Sequence, residues 1–173
     1  TFPNTTQEYG VWYKPKKGYH MGIDIGNAQN TNLDIAPAYA GEVVFSGDTH
    51  GDNGIMVVIK HSINIDGTDV VFYTSYSHLA SVNKSVGDKV KANDDPDDLI
   101  GIMGKTGTDD VHLHFAIFTR EGEITDSFSA WGYGLEQIND FAWKKSFKSN
   151  AIYYDPLEVF RTNGAIILYT LNF

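Results

Sequence analysis

Two histidines lie two residues apart in the short apolar segment 111–115, Val-His-Leu-His-Phe. Its β-branched and aromatic residues favour a β-strand. Because successive side chains of a strand point to opposite faces, His112 and His114 share one face and the apolar residues share the other. Two imidazoles on a rigid element could bind a metal ion or transfer protons, or they could belong to the exposed face of a half-buried strand. The pair alone does not separate these alternatives.

Other candidate ligands lie earlier in the chain. His20 and Asp24 are four residues apart, which is roughly 13 Å in an extended strand at about 3.3 Å per residue. The two could bind one ion only if the chain bends between them, and Gly18 and Gly22 supply the freedom for that bend. His78 follows an apolar segment, where a surface or hydrogen-bonded role is the default interpretation. Each of these signals is weak by itself.

The combination favours a catalytic metal site. The chain has no cysteine, so a metal ion must be held by histidine and carboxylate. Three such ligands from separate segments, with a fourth position left open, are typical of catalytic zinc, whereas structural zinc sites are closed, usually by thiolates. Further histidines nearby would suit proton transfer and stabilisation of a developing oxyanion.

The rest of the chain must position these residues, and its pattern predicts a mainly β fold. We expect a compact antiparallel β-sheet domain with a cleft formed by loops, plus a small helical insertion near residues 135–148, where apolar residues have helical spacing. Asp66-Gly67 between two apolar segments predicts a tight hairpin, and the apolar tail 165–171 predicts a last strand. The whole of 1–173 is expected to be one domain, with a lead-in segment at 1–18 and an insertion at 127–150.

Composition excludes several classes of function. The net charge of −9 argues against nucleic acid as a partner, because phosphate binding needs a basic surface. No apolar segment approaches the ~18 residues that a membrane-spanning helix needs. The chain begins at Thr1 without methionine, which suggests a removed signal peptide or a trimmed chain. We therefore expect an extracellular or cell-envelope protein, and a monomer.

The order of the histidine motifs resembles the lysostaphin-type zinc endopeptidases that cut peptidoglycan peptides. The resemblance begins with His20-x-x-x-Asp24, Ser77-His78-Leu79 and His112-Leu113-His114-Phe115. Further matches to the family pattern are found at residues 19–25, 36–43, 86–90, 101–107 and 154–156. The residues just before the His-x-His motif, Thr108-Asp109-Asp110-Val111, differ from the small residues that the family usually has there. They add negative charge near the cleft.

The resemblance implies a role for each residue. His20, Asp24 and His114 would bind one Zn²⁺, and His78 and His112 would flank the metal-bound water and the developing oxyanion. The sequence leaves open which of these two histidines is the general base. The family also uses a tyrosine shortly before the first ligand, and Tyr13 is the nearest candidate for such a substrate-binding role, although its spacing differs.

The sequence therefore predicts a secreted zinc metallo-endopeptidase that hydrolyses peptide bonds in peptidoglycan, either in the stem peptide or in the cross-bridge. One alternative is a catalytically silent relative that binds the wall or activates another hydrolase. The presence of residues at all five ligand and catalytic positions favours the enzyme. A secreted general metallopeptidase is the second alternative.

Overall fold

A computed structural model describes residues 5–13, 18–26, 32–92, 95–121, 124, 133–134, 136–140, 142–144 and 150–171. This part of the chain is mainly β, which confirms the predicted fold class. The strands are β1 (Thr5–Gln7), β2 (Trp12–Tyr13), β3 (Gly18–His20), β4 (Ile23–Gly26), β5 (Asp34–Ile35), β6 (Gly41–Asp48), β7 (Ile55–Ile65), β8 (Thr68–Val82), β9 (Lys89–Val90), β10 (Gly101–Met103), β11 (His112–Arg120), β12 (Tyr133–Gly134), β13 (Glu136–Asn139), β14 (Ala142–Lys144) and β15 (Ala151–Tyr154). The helices are α1 (Pro156–Arg161) and α2 (Ala165–Leu171), with a 3₁₀ turn at Pro96–Asp98.

One large antiparallel sheet runs in the order β13-β14-β15-β11-β8-β7-β6-β9. Strand β11 is its hub. The first half of β11 pairs with β4, its second half pairs with β15, and β8 pairs with it along the opposite side. A small separate sheet joins β12, β3 and β2. The end of β3 therefore meets β4 at a junction between two sheets.

Apolar clusters cover both faces of the central part of the large sheet. Phe115 and Tyr76 lie on one face, in the larger apolar cluster that also contains Val159 and Ile167 from the two helices. The opposite face carries a second cluster that includes Phe118. Full burial of one such side chain contributes about 1.5–3 kcal/mol relative to leaving it exposed. The alternation along β11 is therefore strongly fixed by burial on both sides.

The hairpin between β7 and β8 forms as predicted. Ile65 pairs with Thr68, which leaves Asp66 and Gly67 as a two-residue loop. Both loop residues have positive φ, at 50° and 85°. This is the requirement of the type I′ turn, whose twist matches that of the strands it joins.

The predicted helix at residues 135–148 is wrong within its described residues. Residues 136–139 and 142–144 form the antiparallel pair β13 and β14, and β14 extends the sheet along β15. Helical spacing over so short a window does not distinguish a helix from a strand, and pairing with an available sheet edge overrides it. Residues 135, 141 and 145–149 lie outside the described part of the chain, as does most of the predicted insertion at 127–150.

The predicted strand at 165–171 is a helix. Ile166, Ile167 and Thr170 are buried, whereas Tyr169 and Leu171 are exposed, so the buried positions follow a period of 3.6 and not of two. The turn that precedes α2 ends α1 in a Schellman motif, in which the Gly164 N–H donates to the carbonyl oxygen of Val159, five residues earlier. Neither helix in the described ranges has the length and apolar content needed to cross a membrane.

Candidate metal centre and active site

The pairing of β4 with β11 brings Asp24 and His114 together. The two residues are direct cross-strand partners, so their side chains rise from the same face of the sheet. The Nδ1 atom of His114 lies 2.9 Å from Oδ1 of Asp24. His112, two residues earlier on the same face, places its Nε2 atom 3.8 Å from the same carboxylate oxygen. The predicted alternation of the His-x-His strand is confirmed by this register.

His20 reaches the same point from the end of β3. The chain turns at Met21 and Gly22, and the Nε2 atom of His20 then lies 3.2 Å from Oδ1 of Asp24 and 2.9 Å from Nδ1 of His114. Gly22 is needed here for space. A Cβ atom at this position would overlap the carbonyl oxygen of Phe115 and lie 2.9 Å from Cε1 of His114. The bend that the sequence required between His20 and Asp24 is therefore present, and it depends on close packing against β11.

His78 enters the cluster from β8 through an irregularity in that strand. The registers of β8 with β7 and with β10 both shift near this residue, and its φ is +64°. Bulges of this kind commonly redirect a side chain beside an active site. The His78 ring lies 4.6 Å from the His112 ring and 6.1 Å from the His114 ring, measured between centroids. The structure thus brings all five predicted metal and catalytic residues into one cluster.

Backbone carbonyls fix the tautomers of three of the four histidines. Nδ1 of His20 lies 3.0 Å from the carbonyl oxygen of Glu8. Nδ1 of His78 lies 2.9 Å from that of Thr106, and Nδ1 of His112 lies 3.0 Å from that of Asp110. Because a carbonyl oxygen only accepts, each Nδ1 carries the proton, and Nε2 is the unprotonated nitrogen of the neutral ring.

The electrostatics of the cluster favour the ionisation states that a metal ion requires. Burial alone would raise the pKa of Asp24, but its close polar contacts with the His114 and His20 side chains hold that pKa well below its usual range. Burial lowers the pKa of His114. Burial, reinforced by the nearby His114 ring, lowers the pKa of His78 to about 4. A carboxylate and neutral imidazoles are the forms that ligate metals.

The three predicted ligands fit a zinc ion. One donor atom each from His20, Asp24 and His114 lies within 4.8 Å of the others, and all three residues are buried. Ligands about 2.1 Å from a tetrahedral zinc ion stand roughly 3.4 Å from one another. The observed separations of 2.9–3.2 Å are within a few tenths of an ångström of that spacing. Three nitrogen and oxygen donors leave one coordination position open, as in catalytic zinc sites.

The side chains of Tyr13, a predicted substrate-binding residue, and of His50, a further histidine, do not belong to the described cluster. The side chain of Tyr13 lies outside the described part of the structure, although its backbone pairs with Gly18 in the small sheet. The side chain of His50 is 88% exposed on the turn between β6 and β7 and pairs with Asp48. Sequence reasoning missed Thr106, whose backbone holds His78. The segment around it matched a family signature, but nothing in the sequence indicated what the residue contacts.

Comparison with known proteins supports a peptidase. Residues 18–126 match the model of Peptidase family M23. The catalytic domain of the antimicrobial peptidase lysostaphin from Staphylococcus simulans is 27% identical, with a TM-score of 0.53 over 72% of this chain and 84% of that domain. Both the sequence identity and the shared fold agree with the resemblance to lysostaphin-type peptidases that the histidine motifs show.

Two curated relatives are bacterial lipoproteins. The uncharacterized lipoprotein YgeR of Escherichia coli is 33% identical over 120 residues, which are 69% of this chain and 43% of YgeR. The lipoprotein NlpD/LppB homolog of Pseudomonas aeruginosa is 32% identical over 126 residues, which are 68% of this chain and 38% of that protein. This chain therefore spans less than half the length of either relative.

Proposed function

This chain belongs to peptidase family M23, and we propose that it is a zinc-dependent endopeptidase that cleaves peptide bonds of bacterial peptidoglycan. The observation that carries the proposal is the convergence of His20, Asp24 and His114 on one point, with two further histidines beside them. All three candidate ligands and both candidate catalytic histidines are present, which favours an enzyme over a catalytically silent relative.

The chemistry divides between the metal ion and the protein. Zinc, when bound, lowers the pKa of a coordinated water to about 7 and so supplies a nucleophile at neutral pH. His20, Asp24 and His114 would hold the ion. The Nδ1–H of His20 donates to the carbonyl of Glu8, which orients the ring so that Nε2 faces Asp24 and His114 and would be available to the ion.

His78 and His112 are placed to handle protons and charge. Both rings donate Nδ1–H to backbone carbonyls, so that each offers Nε2 to the centre. In the neutral form Nε2 accepts a proton from the attacking water, and in the protonated form it donates to the oxygen on which negative charge develops. The two histidines together can therefore supply both functions within one cleft.

The names of the relatives support the proposed substrate and location. Lysostaphin is named as an antimicrobial peptidase, and the curated relatives are named as lipoproteins. Peptidoglycan peptide in the cell envelope is the substrate and location that agree with both. Tyr13, whose backbone pairs with Gly18 in the small sheet, remains our candidate for contact with that peptide.

The test measures zinc and hydrolysis in matched variants. We expect about one zinc per wild-type chain by elemental analysis, and release of peptides from purified peptidoglycan, whose masses identify the cleaved bond. Asp24→Ala should lose both zinc and activity. His78→Asn should keep zinc and lose nearly all turnover, since asparagine tolerates the positive φ at this position.

A control at His50 makes this result specific. His50 also has positive φ, at 53°, but its side chain is exposed outside the cluster. His50→Asn should therefore retain zinc and activity. A folded wild-type protein that takes up no zinc after reconstitution would overturn the proposal. Wall binding without cleavage would support the silent relative, and equal cleavage of an unstructured protein such as casein would support a general metallopeptidase.

A further inference from the structure

Thr106 lies at the point where two loops meet beside His78. Its hydroxyl donates to the carbonyl oxygen of Leu79 at 2.7 Å and accepts from the backbone N–H of Ile55 at 2.8 Å. Its own carbonyl oxygen accepts from Nδ1 of His78 at 2.9 Å. One residue is therefore bonded to the start of β7, to β8 just after His78, and to the His78 ring itself.

The backbone contacts around Thr106 are too close to admit other side chains. A Cβ atom on Gly54 would overlap both the backbone and the hydroxyl of Thr106, and the φ of Gly54 is +59°. A Cβ atom on Gly107, whose φ is +74°, would lie 2.6 Å from the carbonyl oxygen of Asp52. The loop before β7 and the loop after β10 thus interlock through two glycines and one threonine.

His78 is held by both of these loops. Its backbone N–H donates to the carbonyl of Asn53 in the first loop at 3.0 Å, while its ring donates to Thr106 in the second. The positive φ of His78 is an unfavourable conformation for a residue with a Cβ atom, so surrounding contacts must maintain it. The Thr106 hydroxyl joins the two loops that supply those contacts.

We infer that Thr106 is a positioning residue for His78: its carbonyl oxygen fixes the tautomer of that ring, and its hydroxyl joins the two loops that hold the ring in place for the reaction. The inference rests on the proposed peptidase function. A displacement of about 1 Å in a catalytic group can cost on the order of 100-fold in rate. The hydroxyl should therefore affect turnover strongly without contacting the metal ion or its ligands.

Two substitutions isolate the hydroxyl. Thr106→Val has nearly the same shape but cannot hydrogen-bond to Leu79 or Ile55, whereas Thr106→Ser keeps the hydroxyl. We expect Thr106→Val to lower kcat by roughly 10- to 100-fold, with KM and zinc content within about twofold of wild type. Thr106→Ser should restore kcat to within about threefold of wild type.

A double-mutant test then asks whether Thr106 acts through His78. In the His78→Asn background, Thr106→Val should produce no further loss of kcat, because residues that act as a unit are not additive. A full additional loss in that background would overturn the inference. So would wild-type kcat in Thr106→Val when His78→Asn is inactive. If His78→Asn itself retains full activity, the proposed role of His78 fails instead.

The histidine tautomer gives a readout that is independent of activity. In the wild-type zinc protein, long-range ¹H–¹⁵N NMR correlations should show the proton of neutral His78 on Nδ1. Thr106→Val keeps the accepting carbonyl but removes the hydroxyl that holds its loop, so the carbonyl should move away from the ring and the proton should shift toward Nε2. A wild-type spectrum with the proton on Nε2 would contradict the inference even if Thr106→Val did not fold.

Discussion

His61 should make the folded protein less stable at acidic pH. It lies within β7, and its side chain is 1% exposed. Its Nδ1–H donates to the carbonyl of Ala40 at 2.9 Å, and its Nε2 lies 2.7 Å from the hydroxyl oxygen of Thr74. That hydroxyl is in turn 3.1 Å from the hydroxyl of Tyr76, which accepts from the N–H of Ala38.

The size of the effect follows from the pKa of His61. Burial lowers this pKa from 6.5 to about 4, although the bond to Ala40 opposes the shift. The folded state therefore binds fewer protons than the unfolded state between these two values, and stability falls as the pH decreases from 6.5 toward 4. At about 1.4 kcal/mol per pKa unit, the full loss is about 3 kcal/mol. Roughly 2 kcal/mol of it occurs between pH 7 and pH 5.

Urea unfolding of wild type and His61→Gln at several pH values measures this contribution. Glutamine does not titrate in this range, so the difference between the two free energies of unfolding should shrink by roughly 2 kcal/mol from pH 7 to pH 5. The histidines of the metal centre are present in both proteins. Phe72, the cross-strand partner of His61, lies five residues along β8 from Ser77, which precedes His78 of the metal centre. His61 is therefore too distant from those histidines to couple strongly with them, and their contribution to stability cancels in the difference.

Two outcomes would refute this reasoning. Stability curves of wild type and His61→Gln that run parallel from pH 7 to pH 5 would show that His61 does not couple to folding in this range. An NMR titration that places the pKa of His61 near 6.5 would show that burial does not suppress its charge. His50→Asn serves as the control, because it removes a histidine whose side chain is exposed and not buried in the core.

Two further predictions concern the strands that carry the metal centre. Gly22→Ala should lower zinc content and activity together, because its methyl group would press on the His114 ring. Gly51→Ala should leave the zinc content of the purified protein unchanged, because an added Cβ atom there would make only an ordinary contact of 3.8 Å with the carbonyl oxygen of Thr49. Within the described residues the buried Ser77 hydroxyl has no protein hydrogen-bond partner, so Ser77→Ala should raise the free energy of unfolding in urea by about 1 kcal/mol. A clear loss of stability in Ser77→Ala would show that the hydroxyl is satisfied in solution.

The parts of the fold that local sequence determines could be predicted. The His-x-His strand follows from alternation, and the turn at Asp66-Gly67 follows from the positive φ that both residues adopt. The tail at 165–171 could not be assigned, because a run of apolar residues this short satisfies both a strand and a helix. Only packing of Ile166 and Ile167 against the sheet decides for the helix.

Recognition of the candidate site went beyond what spacing alone allows. From the residues alone, His20 and Asp24 were roughly 13 Å apart in an extended chain, and the family motifs supplied the assignment of ligands. The irregularity that turns His78 into the centre, and the hydroxyl of Thr106 that joins two loops beside it, depend on contacts between distant segments. Such contacts leave no periodic signal in a single sequence.

The two halves of the centre are held by different forces. A slip of one residue between β11 and β4 would turn Leu113 and Phe115 into the metal centre and expel both histidines from it. Burial of these two apolar side chains, at about 1.5–3 kcal/mol each, opposes that slip. The placement of His114 against Asp24 is therefore enforced by the hydrophobic core, whereas His78 is held by hydrogen bonds between loops. Substitutions in the core of β11 should consequently reduce zinc binding, and substitutions in the two loops should reduce turnover while zinc is retained.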